Sequence, residues 1–240
     1  MSIARAARHA VLRSALISIL PAALATGAAA QLLGQRLDLD AAYLPKAAAV
    51  FIAGAALVLI GLPRHHPFAS FGAANQVTTA RGALIALLAA LIAERADTGA
   101  PRVALAIGTT IVVLDGVDGW LARRDHMTSA FGARFDMEAD AALILVLAVL
   151  AWQFGKAGAW VLASGLLRYA FVAAGLGVPY LRNPLPPSRR RKLVAVLQVV
   201  ALLLTIAPFV PATTGAYVAA AGLCALTLSF VADVLRLSSR

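Results

Sequence analysis

Four aspartates carry the chemistry that this chain can do. Asp115 and Asp118 are three residues apart, and Asp136 and Asp140 are four apart, in a sequence with only 11 acidic residues. On a helix each pair shares one face. "VLDGVDGWLARRD" closes one apolar segment and "GARFDMEAD" opens the next. The short link between them predicts an antiparallel hairpin in which all four carboxylates converge. Such a group repels itself and raises its own pKa values unless something neutralises it. Carboxylate oxygens without His or Cys suit Mg²⁺ or Mn²⁺. Two such ions, roughly 3.5–4 Å apart, form the pair used in phosphoryl chemistry. Gly119 and Ala122 leave one helix surface nearly bare beside the acids, and Gly132, four before Asp136, does the same on the other helix. A bare surface lets a ligand approach the backbone. Asp125 and Glu138 fall out of register and read as helix-end acids, facing water or pairing with Arg123, Arg124 or Arg134.

The elements that position these acids are set by composition. The chain has 240 residues, of which 61% are hydrophobic and 13% charged, against about a quarter charged in soluble domains. The apolar residues come in eight runs: 14–33, 42–62, 77–93, 103–121, 130–152, 157–177, 193–209 and 213–235. Several reach the roughly 20 residues a transmembrane helix needs. The prediction is an all-α polytopic membrane helix bundle, with the bilayer as its surroundings. A net charge of +10 would suggest nucleic acid in a soluble protein, but no basic stretch interleaved with aromatics is present, and nucleic acid is not expected as a partner. The charge has a simpler origin in basic residues flanking membrane helices on the cytoplasmic side. With the N-terminus inside, 13 of the 21 lysines and arginines fall inside and 5 outside. Both the acidic hairpin and "SRRRK" are then cytoplasmic. A competing reading makes Arg5 to Arg13 the start of a cleaved signal peptide ending near "GAAAQ", which leaves the later topology unchanged. The one cysteine, Cys224, lies in an apolar run and reads as a packing residue. His65, His66 and His126 receive no role.

Taken together the pattern is Asp115-x2-Asp118-Gly119-x2-Ala122-Arg123-x8-Gly132-x3-Asp136-x3-Asp140. It resembles the signature of the CDP-alcohol phosphotransferase family of membrane phospholipid-synthesis enzymes. "NQVTTAR" resembles that family's Asn-x-x-Thr stretch, with Asn75 and Thr78 in place, and "RRRKLVAVLQ" resembles the basic start of its fifth core helix, with Lys192 and Gln198. The resemblance implies a six-helix catalytic core over 71–240 and an N-terminal extension, 1–70, holding two further transmembrane helices. It implies that Asp115, Asp118, Asp136 and Asp140 hold two divalent ions against the diphosphate of a CDP-linked lipid. Asp140 would act as general base on an acceptor hydroxyl, and CMP would leave. Asn75, Thr78, Gly119, Ala122, Arg123 and Ser129 would contact the nucleotide. A homodimer is also implied, and the bacterial-type setting is the inner membrane with the active site facing the cytoplasm.

The resemblance implies a small or lipid alcohol as acceptor. Arginine forks suit phosphate, and charge inside a span needs a reason. Arg168 is therefore the first choice for a phosphorylated acceptor such as glycerol 3-phosphate or another polyol phosphate, with Arg134, Arg191 and Lys192 beside it. Many family members carry a polar residue after the last aspartate where this chain has Ala141, which bears on the subfamily. Two rival readings are an intramembrane Mg²⁺-dependent prenyltransferase, whose acidic motifs lie in separate halves of the chain, and an ion or proton transporter, whose fold commonly shows repeated halves. Neither feature is visible in this sequence.

Overall fold

The computed structural model describes residues 3–68, 70–125, 127–183 and 188–238. His126, Arg240 and the side chains of Arg5, Arg8, Arg64, His65 and Arg182 lie outside the described residues. The chain forms α1 (Ile3–Leu37), α2 (Tyr43–His65), α3 (Ala73–Ala90), α4 (Ala100–Arg124), α5 (Ala130–Gln153), α6 (Ala163–Gly177), α7 (Arg189–Ile206) and α8 (Ala212–Ser238). Each of the eight apolar runs lies on a helix, and no strand occurs among the described residues. In lipid this is the economical solution, because a helix satisfies its own backbone hydrogen bonds.

By length and composition, α1, α2, α4, α6 with the turn before it, and α8 can each cross a membrane. The other three helices carry polar groups in their first half. Asn75 and Arg81 interrupt α3, Arg134 to Asp140 open α5, and Arg189 to Lys192 open α7. Apolar side chains such as Ile17, Leu24, Leu57, Leu176, Phe209 and Tyr217 are more than 70% exposed. Exposure on that scale would be an aggregation hazard in water and is expected of a surface that meets acyl chains. The protein is a multi-pass membrane protein.

The chain divides into two compact units, 1–139 and 140–240. In the first, α1 and α2 pack on α3, and α3 packs on α4. Val11, Ala15, Ile19, Phe51, Val58, Leu62, Phe71, Ala86 and Phe131 form its buried cluster. Polar contacts fix the helix ends. Tyr43 Oη donates to Leu87 O at 3.0 Å. Phe71 N donates to Ser14 Oγ at 3.0 Å. Lys46 Nζ reaches both Glu94 Oε1 at 2.8 Å and Ile92 O at 2.9 Å. The Tyr43 and Lys46 bonds hold the end of α3 and the turn after it, and the Phe71 bond holds its start, where the polar face at Asn75 begins.

In the second unit α7 packs along α8, and α6 meets α8. Lys156 Nζ donates to the carbonyls of Ala207 at 3.2 Å and Val210 at 2.6 Å, closing the turn after α7. Gly165 lies so close to α5 that a Cβ there would stand 2.5 Å from Leu145 Cα.

Candidate active site

Three helices of the first unit each supply one face. Residues 75, 78 and 81 of α3 recur at the helical interval, so Asn75, Thr78 and Arg81 share a side. All three are buried, with Arg81 0% exposed. Near its C-terminal end α4 offers Asp115 and Asp118, and α5 offers Asp136 from its second turn. One carboxylate oxygen from each of these three aspartates lies within 4.8 Å of the others. Asp118 is the most enclosed, at 5% exposure.

Arg81 ties the three together. Its Nη2 is 3.0 Å from Asp115 Oδ1, and its Nη1 is 2.7 Å from Asp118 Oδ2 and 2.5 Å from Asp136 Oδ1. Thr78 Oγ1 lies 3.2 Å from the same Asp118 oxygen and 3.0 Å from Ala74 O, with one hydrogen to share between them. One guanidinium faces three carboxylates in a partly buried place, so acidic oxygens outnumber the cations that hold them there. Such a set of hard oxygens, with no His or Cys among them, fits Mg²⁺ or Mn²⁺.

A cleft opens beside the acids. It is lined by Asn75, Thr78, Asp118, Gly119, Ala122 and Asp136, and by Met127, Thr128, Ser129 and Gly132 from the link and the start of α5. The small residues matter here for the space they leave. A Cβ on Gly132 would come within 3.3 Å of Asn75 Oδ1 and of Ser129 Oγ. Asn75 is oriented by its Nδ2, which donates to Phe71 O at 2.5 Å. Ser129 Oγ accepts from Gly132 N at 3.0 Å, the usual N-cap bond to the third helical residue, and so starts α5. Its hydroxyl is also 3.4 Å from His66 Nδ1.

The remaining expected site residues are distributed as follows. Arg123 is exposed on the last turn of α4 and is not among the residues lining the cleft. Its neighbour Arg124 sits over the Trp120 ring at 5.0 Å. Arg134 is exposed on α5. Asp140 stands one turn beyond Asp136 on the same helix, as the first residue of the second unit. Arg168, Arg191 and Lys192 all belong to that second unit. Arg168 is half-buried on α6, Arg191 lies 3.6 Å from Asp233, and Lys192 is exposed.

Two residues central to these arrangements received no role from the sequence. Arg81 follows Thr78 inside "NQVTTAR", and Asp233 is the lone acid of α8. Counting would have found Arg81. Allotting 13 of the 21 basic residues inside and 5 outside leaves three, Arg81, Arg134 and Arg168, within helices. Charge inside a span marks a partner or a site.

No curated protein and no solved structure matches the chain significantly. The family model for CDP-alcohol phosphatidyltransferase matches residues 71–231, from the residue before Gly72 and α3 to within α8. That range contains every acid of the cluster, the guanidinium that holds it and the whole lining of the cleft, and the chain belongs to the CDP-alcohol phosphatidyltransferase family.

Proposed function

We propose that the protein transfers the phosphatidyl group of CDP-diacylglycerol to an acceptor alcohol and releases CMP. The observation that carries this reading is the convergence of Asp115, Asp118 and Asp136 beside a cleft lined by Asn75, Gly119, Ala122 and Gly132. The three aspartates, with Asp140, would hold two ions of Mg²⁺ or Mn²⁺. When bound, those ions offset the charge on the diphosphate and on the departing CMP. The backbone at Gly119 and Gly132 allows the nucleotide close approach, and Asn75, Thr78 and Ser129 offer it hydrogen bonds. Arg123 would meet its outer edge. In the transfer, the acceptor hydroxyl oxygen bonds to the phosphorus that carries the diacylglycerol. The bond from that phosphorus to the bridging oxygen breaks, CMP takes the electron pair, and the hydroxyl proton passes to the Asp140 carboxylate. A carboxylate can serve as general base where neighbouring acids raise its basicity.

The acceptor in this proposal is glycerol 3-phosphate or another phosphorylated polyol, with Arg168 as the main phosphate contact and Arg134, Arg191 and Lys192 as further cations. The active site faces the cytoplasm, the N-terminal helices α1 and α2 are an addition to the catalytic core, and two copies of the chain associate. The test is CMP release by the purified protein given CDP-diacylglycerol, Mg²⁺ or Mn²⁺ and a panel of acceptors. Release should need the ion, stop on chelation and disappear in Asp136→Ala. Turnover of a prenyl diphosphate in its place, or full activity in Asp136→Ala, would overturn the assignment.

A further inference from the structure

Among the described residues Arg81 is the most fully buried charged side chain, and it bridges three helices. From α3 it reaches Asp115 and Asp118 on α4 and Asp136 on α5, at 3.0, 2.7 and 2.5 Å. It touches one oxygen of each carboxylate, Oδ1, Oδ2 and Oδ1 respectively. A carboxylate has two oxygens, so this mode of holding leaves the acids able to take a second cation. A planar fork offers its donors from fixed, separated positions, whereas a lysine ammonium offers three donors from one point on a flexible stem.

We propose that Arg81 is the built-in counter-ion of the acidic site, a positioning residue that holds Asp115, Asp118 and Asp136 in register and sets how strongly divalent ions are taken up there. The inference deepens the two-ion reading above and rests on it. Three carboxylates within 4.8 Å of one another would drive their helices apart or take up protons if nothing offset them. Arg81 removes one of the three charges. The two that remain attract a divalent ion, while the guanidinium repels it, so binding is tempered and the site stays assembled before an ion arrives. The burial of Arg81 and Asp118 makes both effects stronger than in a surface pair, because little water intervenes to screen them.

The experiment uses the full chain purified in detergent, with Mn²⁺ uptake followed by calorimetric titration and thermal unfolding recorded with and without Mn²⁺. Arg81→Gln should lower the ion-free Tm by roughly 5–10 °C, the cost of leaving buried charges unpaired. It should bind Mn²⁺ about tenfold more tightly once the repulsion is gone, so that saturating Mn²⁺ restores about 3–5 °C of the lost Tm. Arg81→Lys keeps the charge without the fork, and should lose part of the Tm while its Mn²⁺ affinity stays within about threefold of wild type. A Tm deficit that is the same with and without Mn²⁺, or weaker Mn²⁺ binding in folded Arg81→Gln, would reduce Arg81 to a packing role and overturn the proposal. Should Arg81→Gln fail to fold, Arg81→Lys decides: a lowered ion-free Tm with Mn²⁺ affinity within about threefold of wild type supports the proposal, and an unchanged Tm or a larger loss of Mn²⁺ affinity overturns it. Absence of Mn²⁺ uptake by the wild type would sink the two-ion reading itself, a result separate from any difference between variants.

Discussion

Arg190, in the first turn of α7, donates to the buried carboxylate of Asp233 in α8. Arg191 adds a second, longer contact at 3.6 Å. The arrangement answers a problem set by the sequence. Four successive cations, Arg189 to Lys192, open α7 with no acid in its first turn, and positive charge at a helix N-terminus opposes the macrodipole. Asp233 offsets that cost from the neighbouring helix. Asp233→Ala should therefore destabilise the second unit by about 1–3 kcal/mol, less than a fully buried pair because Arg190 is partly exposed. Arg190→Ala should cost less than Asp233→Ala, since Arg191 remains to the acid. In a double-mutant cycle by thermal unfolding the two changes should be less than additive; simple additivity would show that the pair does not couple.

Gly132 predicts a separation of stability from activity. Alanine in place of a helical glycine favours the helix by up to about 1 kcal/mol, and α5 should keep or gain Tm in Gly132→Ala. The added methyl would press within 3.3 Å of Asn75 Oδ1 and Ser129 Oγ, two groups assigned to the nucleotide. The expected result is a raised KM for the CDP-linked lipid with little change in Tm. Gly132→Val should remove most CMP release. Unchanged kinetics in both variants would mean that the nucleotide does not use this cleft.

Much of this was legible from spacing, and what was not has a physical cause. The eight apolar runs and the acidic hairpin follow from helical period, so Asp115, Asp118 and Asp136 meet where their intervals put them. Helix onsets were less legible, because apolarity marks only the part of a helix that meets lipid. α1 begins at Ile3 among basic residues well before the apolar run at 14, and α6 begins at Ala163 after a 3-10 turn at Ala159–Leu162. The pairings of Arg81 and Asp233 were hidden for another reason. Their partners lie 34 or more residues away in the chain, on other helices, and no local interval encodes such a pairing. Ser129 shows the reverse case: its cap of α5 is local and readable, while its place on the cleft wall depends on tertiary packing.

At Gly165 α6 lies tight against Leu145 of α5. An alanine Cβ there would stand 2.5 Å from Leu145 Cα and 2.7 Å from Leu145 Cδ1. A backbone atom cannot turn aside as a side-chain tip can, so the helices must separate. Gly165→Ala should cost about 1–3 kcal/mol, as overpacking does in tight cores, and larger residues more. A Tm equal to wild type would show that the close approach is dispensable.

Arg168 offers the sharpest test of the acceptor. It is half-buried within a helix long and apolar enough to span a membrane, where an arginine is costly unless it pairs or binds. A guanidinium can grip a phosphate through two parallel hydrogen bonds, and an ammonium supplies only a point charge. Arg168→Lys should therefore raise KM for a phosphorylated acceptor while leaving the KM for CDP-diacylglycerol near wild type, and Arg168→Ala should do so more strongly, by about tenfold or more, the loss of one charged hydrogen bond. Acceptors without phosphate should respond little to either change. The decisive comparison is the ratio of kcat/KM for a phosphorylated and an unphosphorylated polyol in the three proteins. A ratio that stays constant as overall activity falls would assign Arg168 to the structure of the second unit and leave the phosphate contact to other cations.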